Sequence, residues 1–569
     1  PHLALSTWDE PGRVWQFARR KRNTEILHLI NLTSLSNNAW NDPGGTYATP
    51  AVISNATLTF FTDTRVDSVH MVSPDVEAGR PVPVAFVTNT LGGRACVTCT
   101  LPVLEYWSML LFRTEPRTHY ISAAAQHTYD GRALATAFRT IYDADQAISY
   151  GNGDTLLIDG GTTNGGAAYV YDHGGPAGAV SRFQRLRDAT AANDITIAGI
   201  NGRPVIVAEY APVQFHGVRY NCTVSNLAFV VSNGPAIAVA NQSSYAHDPN
   251  VGASARWYPA SGGNMLIADC VISNVCAAPA IVFGVNGAFE SRENADTHTV
   301  IKGARISGNR IHVAGAGNVP GALRFNQYGG GSDVLITGND LRGPGMFAGG
   351  TADAISVAWN SGKDTRFVIS NNHLHGWSGR ALALDIGASE VRENLIWDIG
   401  GPAVQLDGGV AGGVPNRIVN NTLWSINGNC GHTRYDATAT NWWINNLFLG
   451  AAAGAYVCWS GGGAQNIFET CMSHDVTRIY NADAAEAGTN YWYRDPLVLS
   501  TNRHSPWFLA LAYPVSDTRA LYGGAARYGG APWIGVGGGV NGGAPLDVPE
   551  PAGVLLAALM FLNVKRLCQ

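Results

Sequence analysis

An asparagine that is followed within two or three positions by an apolar residue recurs through the middle of this 569-residue chain. The nine recurrences are Asn226, Asn274, Asn309, Asn339, Asn372, Asn394, Asn421, Asn446 and Asn466. The intervals between them lie between 20 and 48 residues. A short unit of strands and turns cannot bury its apolar face alone, so a repeat of this length predicts coils stacked around a continuous interior.

The fold class that this repeat favours is all-β, with a right-handed parallel β-helix over residues 118–535. One coil of a β-helix takes roughly 20–30 residues, longer intervals fit coils with inserted loops, and the repeated asparagine can hydrogen-bond along the stack. A β-propeller, the rival fold, needs a steadier period of about 40–50 residues. Charged residues are only 14% of the chain and the net charge is −5, which excludes a disordered chain and gives no electrostatic basis for nucleic-acid binding.

Eight short alternating runs lie between the asparagines. They are Ala236–Ala240, Ala280–Gly284, Ala322–Asn326, Ala354–Ala358, Ala381–Asp385, Ala403–Asp407, His432–Asp436 and Ala455–Trp459. The second and fourth residues of each run are mostly bulky and apolar, which predicts that they point inward. The period of a strand then turns the first, third and fifth residues outward on one face.

The later outward positions carry the candidate chemistry. Aligned in this way, Asp385, Asp407 and Asp436 form one row, with neighbours near 5 Å because stacked strands lie about 4.8 Å apart. Glycoside hydrolysis uses two carboxyl groups, about 5–5.5 Å apart for retention and about 6.5–9.5 Å apart for inversion, so this row predicts catalytic carboxylates but not the stereochemistry. The predicted polysaccharide contacts around them are Arg324, Asn326, Gln405, His432, Arg434 and Trp459.

Other interpretations of the same residues remain open. Outward aspartates can simply be solvated surface, or can hold Ca²⁺; no other cofactor is predicted. A polysaccharide lyase is a further alternative, with Arg380 or Arg434 as base or charge neutraliser. His373 and His375 beside the Asn372 turn are interpreted as polar loop residues.

The first 115 residues predict a separate β-sandwich, with strands at Ile26–Leu32, Ala56–Phe61, Val82–Thr88 and Cys96–Thr100. Five motifs keep their order there, namely VWQFAR from Val14, LHLINL from Leu27, WND from Trp40, SPD from Ser73 and LPVLEYW from Leu101. In that order they resemble the β-sandwich that closes enzymes of glycoside hydrolase family 66, the dextranases and cycloisomaltooligosaccharide glucanotransferases. The catalytic carboxylates of that family lie on a preceding (β/α)8 barrel, so the resemblance assigns no catalytic residue here.

The C-terminal residues have the composition and order of a sorting signal. A Gly-rich linker over residues 536–547 leads to Pro549, Glu550 and Pro551, then to a short apolar helix over 552–562 and to Lys565 and Arg566. This order resembles the PEP-CTERM signal of Gram-negative bacteria. The resemblance implies export, transient contact of the tail over 548–569 with the inner membrane, processing by an exosortase, and a final place in the cell envelope or outside the cell.

Together these features predict an exported polysaccharide-active protein, a glycoside hydrolase acting on an α-glucan or an exopolysaccharide. Two alternatives stay open. One is a surface or matrix protein that binds glycans without turnover. The other is an accessory part of a truncated family 66 enzyme.

Overall fold

The structure is a computed structural model, and the residues that it describes are 14–21, 24–33, 44, 48–62, 65–126, 130–161, 167–171, 183, 194–209, 211–215, 219–239, 262–275, 278–283, 301–315, 321–325, 331–357, 365–407, 414–433, 440–451, 456–460, 465–469, 471–474, 478–480 and 492–493. The predicted linker and sorting signal lie outside these residues, as does the predicted C-terminal helix. Among the described residues no helix is long and apolar enough to cross a membrane.

The N-terminal part consists of two antiparallel sheets, of five and three strands. The strands are β1 Val14–Lys21, β2 Thr24–Asn31, β3 Ile53–Phe61, β4 Ser68–Val72, β5 Val82–Pro83, β6 Phe86–Leu91, β7 Arg94–Leu104 and β8 Trp107–Arg113. Every second residue of β2 and β8 is buried, and Phe60 stacks on Phe112 between the sheets at 4.4 Å. The predicted strand Val82–Thr88 is wrong, because it divides into β5 in the larger sheet and β6 in the smaller one.

From Thr118 onward the chain winds through three long parallel sheets. Sheet A contains β9 Thr118–Ile121, β10 Thr155–Asp159, β12 Thr196–Ile200, β16 Thr223–Ser225, β20 Leu266–Ala268, β24 Arg305–Ser307, β28 Leu335–Thr337, β31 Val368–Ser370, β34 Glu390–Arg392, β37 Asn416–Val419, β40 Thr440–Ile444 and β43 Gln465–Glu469. Sheet B contains β11 Val170–Tyr171, β13 Val205–Ala208, β17 Ala228–Val231, β21 Val271–Asn274, β25 Arg310–Val313, β29 Asp340–Arg342, β32 His373–Trp377, β35 Leu395–Ile399, β38 Thr422–Ile426, β41 Leu447–Ala451, β44 Met472–His474 and β46 Trp492–Tyr493. Sheet C contains β14 Val213–Phe215, β18 Ile237–Val239, β22 Ile281–Phe283, β26 Leu323–Phe325, β30 Ile355–Val357, β33 Leu382–Leu384, β36 Val404–Leu406, β39 Gly431–Thr433, β42 Tyr456–Ser460 and β45 Arg478–Tyr480.

Smaller elements complete the described chain. A four-stranded parallel sheet contains β15 Arg219–Tyr220, β19 Gly262–Gly263, β23 Ile301–Lys302 and β27 Gly331–Ser332. Helix α1, Ile141–Ala147, begins where the Thr140 hydroxyl accepts a hydrogen bond from the Asp143 amide at 3.0 Å. Two 3-10 turns occupy Glu77–Gly79 and Leu134–Thr136.

A typical coil adds one strand to each long sheet in the order A, B, C, as β31, β32 and β33 do. Its inward residues, such as Ile369, Leu374 and Leu382, are fully buried in one continuous core. The prediction of an all-β chain, with a parallel β-helix behind a small sandwich, is confirmed.

Six of the nine recurring asparagines form a buried ladder at the turn from sheet A to sheet B. Each side-chain amide of the first five donates to the side-chain oxygen of the next, at 2.9 to 3.0 Å, through Asn309, Asn339, Asn372, Asn394, Asn421 and Asn446. The predicted hydrogen bonding along the stack is therefore confirmed for these six. Cys270 and Cys471 occupy the two ends of the ladder, and burial raises the pKa of each thiol to about 12.

The other three asparagines do not belong to this ladder. Asn226 bonds the carbonyls of Gly199 and Gly202, and Asn274 bonds that of Ala278. Asn466 ends a second buried row, Asn416–Asn441–Asn466, along sheet A. Spacing alone does not separate these environments, because each asparagine ends or follows a short apolar run.

The sandwich and the β-helix meet at an ion-pair network. Arg65 pairs with Asp67 and Asp154, each at 3.0 Å, and Arg117 pairs with Asp67. His119, in the first strand of sheet A, lies buried beside this network. The charges of the junction are thus paired across the point where β8 ends and β9 begins.

Candidate functional site

The predicted alternating runs stack as strands of sheet C. Six of them, β18, β22, β26, β30, β33 and β36, pair in the predicted register, so that Val357, Leu384 and Leu406 lie side by side. Asp385 and Asp407 come directly after two of these strands. The Asp385 amide donates to the Val357 carbonyl at 3.1 Å and the Asp407 amide to the Leu384 carbonyl at 2.8 Å. The two aspartates therefore occupy the same position on neighbouring strands, about 4.8 Å apart along the stack.

The carboxylate of Asp407 is held by a neighbour on its own strand. The side-chain amide of Gln405 donates to both oxygens of Asp407, at 2.9 Å each. Gln405 is itself buried, so the amide has little freedom to turn away. Hydrogen bonds donated to both oxygens favour the ionised form of a carboxyl group over its protonated form.

A bidentate ion pair lies at the beginning of the same strands. Arg380 donates to Asp353 through Nε at 3.0 Å and through a terminal nitrogen at 2.6 Å. Burial lowers the pKa of Arg380. The hydrogen bond and charge of Asp353, together with the charge of Asp407, outweigh burial, so the net shift of the pKa is upward. Burial lowers the pKa of Arg324, which the charge of Asp353 partly opposes. Arg380 thus couples Asp353 electrostatically to Asp407.

The predicted register fails in the last coils. Gln405 pairs with His432 and Leu406 with Thr433, whereas the sequence alignment had placed Gln405 beside Arg434 and Asp407 beside Asp436. His432 in turn pairs with Trp459, which the alignment had placed in the row of Asp407. The alignment is two residues out because Gly431, which precedes the predicted run, takes the inward position beside Val404. Thr433, predicted inward, lies beside Leu406 and donates its hydroxyl to Asn466.

The remaining predicted residues divide by position. Arg324, Gln405 and His432 lie in one outward column of sheet C. Asn326, Arg434, Asp436 and the sorting-signal residues lie outside the described part of the chain, and only the backbone of Trp459 is described. The prediction that first-position residues face outward is wrong for Ala354, Ala381 and Ala403, which are fully buried in the core. It holds for His432, the first residue of its run, which pairs with Gln405 in the outward column. Strand alternation assigns Asp385 to an outward position, but it is only 5% exposed.

Sequence reasoning missed two clusters. The first is the ion pair of Asp353 with Arg380, which the sequence analysis does not predict. The signal for it is that each residue directly precedes the alanine of an alternating run. His373 and His375 are not loop residues; both lie on β32, where His375 Nε2 is 3.1 Å from Asp340 Oδ1 and the ring stacks on Trp397 at 4.3 Å. Within the described residues no group of three or more His, Cys, Asp or Glu side chains is arranged to hold a metal ion.

Residues 2–111 match the family model of glycosyl hydrolase family 66, which confirms the resemblance that the five N-terminal motifs predicted. Fold and match together define a parallel β-helix protein with an N-terminal module similar to that family. Two curated cycloisomaltooligosaccharide glucanotransferases of Niallia circulans are 27% and 25% identical to this chain over 190 and 189 residues, 33% of this chain and 18% of each relative. The aligned part of the chain thus spans about a fifth of the length of these relatives.

Some solved structures are similar to a short part of the chain and others to most of its length. A cycloisomaltooligosaccharide glucanotransferase of Paenibacillus sp., complexed with cycloisomaltoheptaose, is 31% identical over 18% of this chain and 14% of its own, with a TM-score of 0.17. A pectate lyase is 12% identical over 72% of this chain and 92% of its own, with a TM-score of 0.36. An α-1,3-glucanase of Streptomyces thermodiastaticus is 10% identical over 83% and 90%, with a TM-score of 0.30.

Proposed function

We propose that the chain is a carbohydrate-active protein in which the outer face of sheet C hydrolyses the glycosidic bonds of an α-glucan. The observation that carries the proposal is the placement of Asp385 and Asp407 at one position of adjacent strands, with Gln405 holding the second carboxylate. Two carboxyl groups are what glycoside hydrolysis requires.

The two aspartates take different roles in this proposal. Asp407, whose oxygens both accept hydrogen bonds from Gln405, is the ionised nucleophile. Asp385, the more buried of the two, is the general acid that protonates the leaving oxygen. The strand spacing of about 4.8 Å is close to the carboxyl separation of about 5–5.5 Å in retaining glycosidases, so we propose retention of the anomeric configuration.

The same face offers contacts for the sugar. Arg324 and His432 share the outward column of Gln405. At the beginning of these strands, Asp353 holds the guanidinium of Arg380 by hydrogen bonds. We propose that Arg324, His432 and Trp459 contact the glucan. Asn326 and Arg434 remain proposed sugar contacts, and Asp436 remains a proposed third carboxylate of the site; all three lie outside the described residues.

The substrate class rests on the N-terminal match. The Niallia circulans relatives are named cycloisomaltooligosaccharide glucanotransferases, which makes an isomaltooligosaccharide or a dextran-like glucan the substrate of choice for a first assay. Release of reducing ends from dextran by the purified chain tests the proposal. Asp407→Asn is expected to lower this rate by at least about 10²-fold, a loss at the scale of one general acid–base or nucleophilic group.

A matched control separates this loss from a general effect of removing a carboxylate. Asp333, paired with Arg366 beside sheet A, is exposed and belongs to no strand of sheet C. Asp333→Asn makes the same chemical change and is expected to leave the rate unchanged. Equal rates for Asp407→Asn and the unmodified chain would remove the basis of the proposal.

Two other functions have an observation in their favour. Because Asp385 is only 5% exposed, the face can also serve a protein that binds glycans without turnover, and binding to dextran without any released reducing ends would favour it. The match at residues 2–111 favours an accessory role within a longer family 66-like enzyme. A (β/α)8 barrel encoded upstream of Pro1 would support that role.

We further propose that the C-terminal segment with Pro549, Glu550, Pro551, Lys565 and Arg566 is an export and sorting signal processed by an exosortase. Its transient contact is with the inner membrane, and the processed protein lies in the cell envelope or outside the cell. Mass spectrometry of the secreted product, compared with a variant in which Pro549-Glu550-Pro551 is Ala-Ala-Ala, tests this. Cleavage near this motif, lost in the variant, is the expected result.

A further inference from the structure

We propose that the outer face of sheet B between β25 and β32 is a second glycan site, which binds a carboxylated glycan through Arg310, Arg342 and His375. This face lies on a different sheet from Asp385 and Asp407. The choice of a glycan as the ligand rests on the proposed carbohydrate function, whereas its negative charge follows from the side chains of the face itself.

Strand register brings these side chains together. Arg310, Asp340 and His373 pair across three consecutive strands, and two residues further along His312, Arg342 and His375 do the same. The intervening Ile311, Leu341 and Leu374 are buried in the core. Because side chains alternate along a strand, both columns project from the outer face, with successive members about 4.8 Å apart.

His375 is held in place before any ligand arrives. Its Nε2 lies 3.1 Å from Asp340 Oδ1, and its ring is parallel to that of Trp397 at 4.3 Å, with 1° between the planes. The side chain keeps 19% of its surface exposed, and that of Asp340 keeps 40%. A polar group that is fixed and still accessible loses little freedom on binding, which favours affinity.

The charge of the face is positive. Arg310 and Arg342 are exposed, and Asp340 is the one carboxylate among the described side chains of these two columns. Three histidines, His312, His373 and His375, add donors; burial lowers the pKa of His373, so that ring is a neutral partner. Arg310 and Arg342 lie diagonally on neighbouring strands, roughly 7–8 Å apart, so each can bind a separate carboxylate of one glycan chain. Guanidinium and carboxylate form strong, directional hydrogen bonds.

The two faces therefore differ in charge. Sheet C carries Asp353, Asp385 and Asp407 against Arg324 and Arg380 in its described part, whereas the two outward columns of β25, β29 and β32 carry two arginines against Asp340. A neutral glucan suits the first face and an anionic chain the second. Such a protein can hold an acidic matrix polysaccharide on one side while it acts on a neutral one on the other.

Affinity electrophoresis of the full chain tests this inference, with polygalacturonate as the probe in the gel. The unmodified chain is expected to be retarded in low salt and released in high salt. Arg310→Gln/Arg342→Gln is expected to bind roughly tenfold or more weakly, since two charge-assisted contacts are lost. His375→Phe keeps the ring over Trp397 but removes its donor, and is expected to weaken binding to a smaller extent.

Arg94→Gln/Arg305→Gln is the matched control, because it removes two exposed arginines of the sandwich and of sheet A and leaves the net charge equal to that of the test variant. It should be retarded like the unmodified chain. No retardation of the unmodified chain, or equal retardation of both double variants, would overturn the inference. Equal retardation by polyglutamate would overturn the assignment to a glycan.

The result is independent of the proposed hydrolysis. Asp407→Asn should bind polygalacturonate as the unmodified chain does. A chain that hydrolyses dextran without retardation by polygalacturonate contradicts the second site alone, and one that is retarded without hydrolysing any glucan contradicts the proposed function alone.

Discussion

Gln405 donates its side-chain amide to both oxygens of the Asp407 carboxylate, at 2.9 Å to each. The two residues are separated by one position on the chain, so both project from the outer face of sheet C. The sequence predicts Gln405 as a substrate contact, and we propose from these hydrogen bonds that it also positions Asp407.

Replacing Gln405 by glutamate tests this role. A carboxylate in place of the amide repels the ionised Asp407 and favours its protonated form. We expect kcat on dextran to fall by at least about tenfold with a smaller change in KM, and the acidic limb of the pH–rate profile to move to higher pH. Steady-state rates across the acidic range measure both effects.

Gln214 supplies a matched control, because it occupies the same outward column of sheet C on β14, six strands away. Gln214→Glu should leave the pH–rate profile in place. A Gln405→Glu variant with an unshifted profile and normal kcat would show that the amide does not control Asp407.

The sequence predicts the parts of this fold in which one physical rule dominates. Ile355, Leu382 and Val404 lie inward at one position because the period of a strand and apolar burial agree there. Thr433 lies inward as predicted, but it pairs with Leu406 where the aligned runs place it beside Val404. Its hydroxyl is satisfied by Asn466, a partner that no local pattern reveals. The contact of Asp353 with Arg380 lies between neighbouring coils and follows the same register, because each residue directly precedes the alanine of its alternating run.

The Arg380–Asp353 pair contributes to stability. Asp353→Ala leaves the guanidinium without its bidentate partner in a position where 32% of its side chain is exposed. We expect a loss of about 2 kcal/mol in the free energy of unfolding, below the 3–5 kcal/mol of a fully buried pair because water still reaches Arg380. Denaturant unfolding measures it. Arg380→Gln added to Asp353→Ala should cost less than the sum of the single changes, and strict additivity would contradict the pairing.

His119 makes the junction sensitive to acid. Burial lowers the pKa of His119 to about 4. The positive charges of Arg132, Arg65 and Arg117 act in the same direction, and the negative charge of Asp154 opposes them. Neither ring nitrogen has a hydrogen-bond partner among the described residues. An unfolded histidine has a pKa of about 6.5, so the unfolded chain binds the proton more readily. The contribution of His119 to the free energy of unfolding is therefore fully present above about pH 6.5. It is lost as the pH falls toward 4, by about 3 kcal/mol.

Denaturant unfolding between these pH values, for the unmodified chain and for His119→Gln, measures this contribution. The variant has no group that titrates at this position, so its stability should fall less steeply with acidification. Parallel curves for the two proteins would contradict the assignment.

The asparagine ladder should be costly to interrupt. Asn394 donates to Asn421 and to the Ile369 carbonyl and accepts from the amides of Asn372, all in the buried interior. Asn394→Ala leaves several buried polar groups without partners, and we expect a loss of about 3 to 4 kcal/mol in the free energy of unfolding. The exposed Asn89→Ala on β6 should change stability by less than about 0.5 kcal/mol. A similar, small effect at both positions would contradict the structural role of the ladder.

Chemical rescue at position 407 probes the carboxylate itself. The reaction of Asp407→Ala with isomaltooligosaccharides is followed by mass spectrometry with and without added azide, a small nucleophile that fits the space left by the side chain. We expect the variant to be inactive alone and to form a glycosyl azide when azide is present. A variant that turns over substrate at the normal rate without azide would contradict the assignment of Asp407 as the nucleophile.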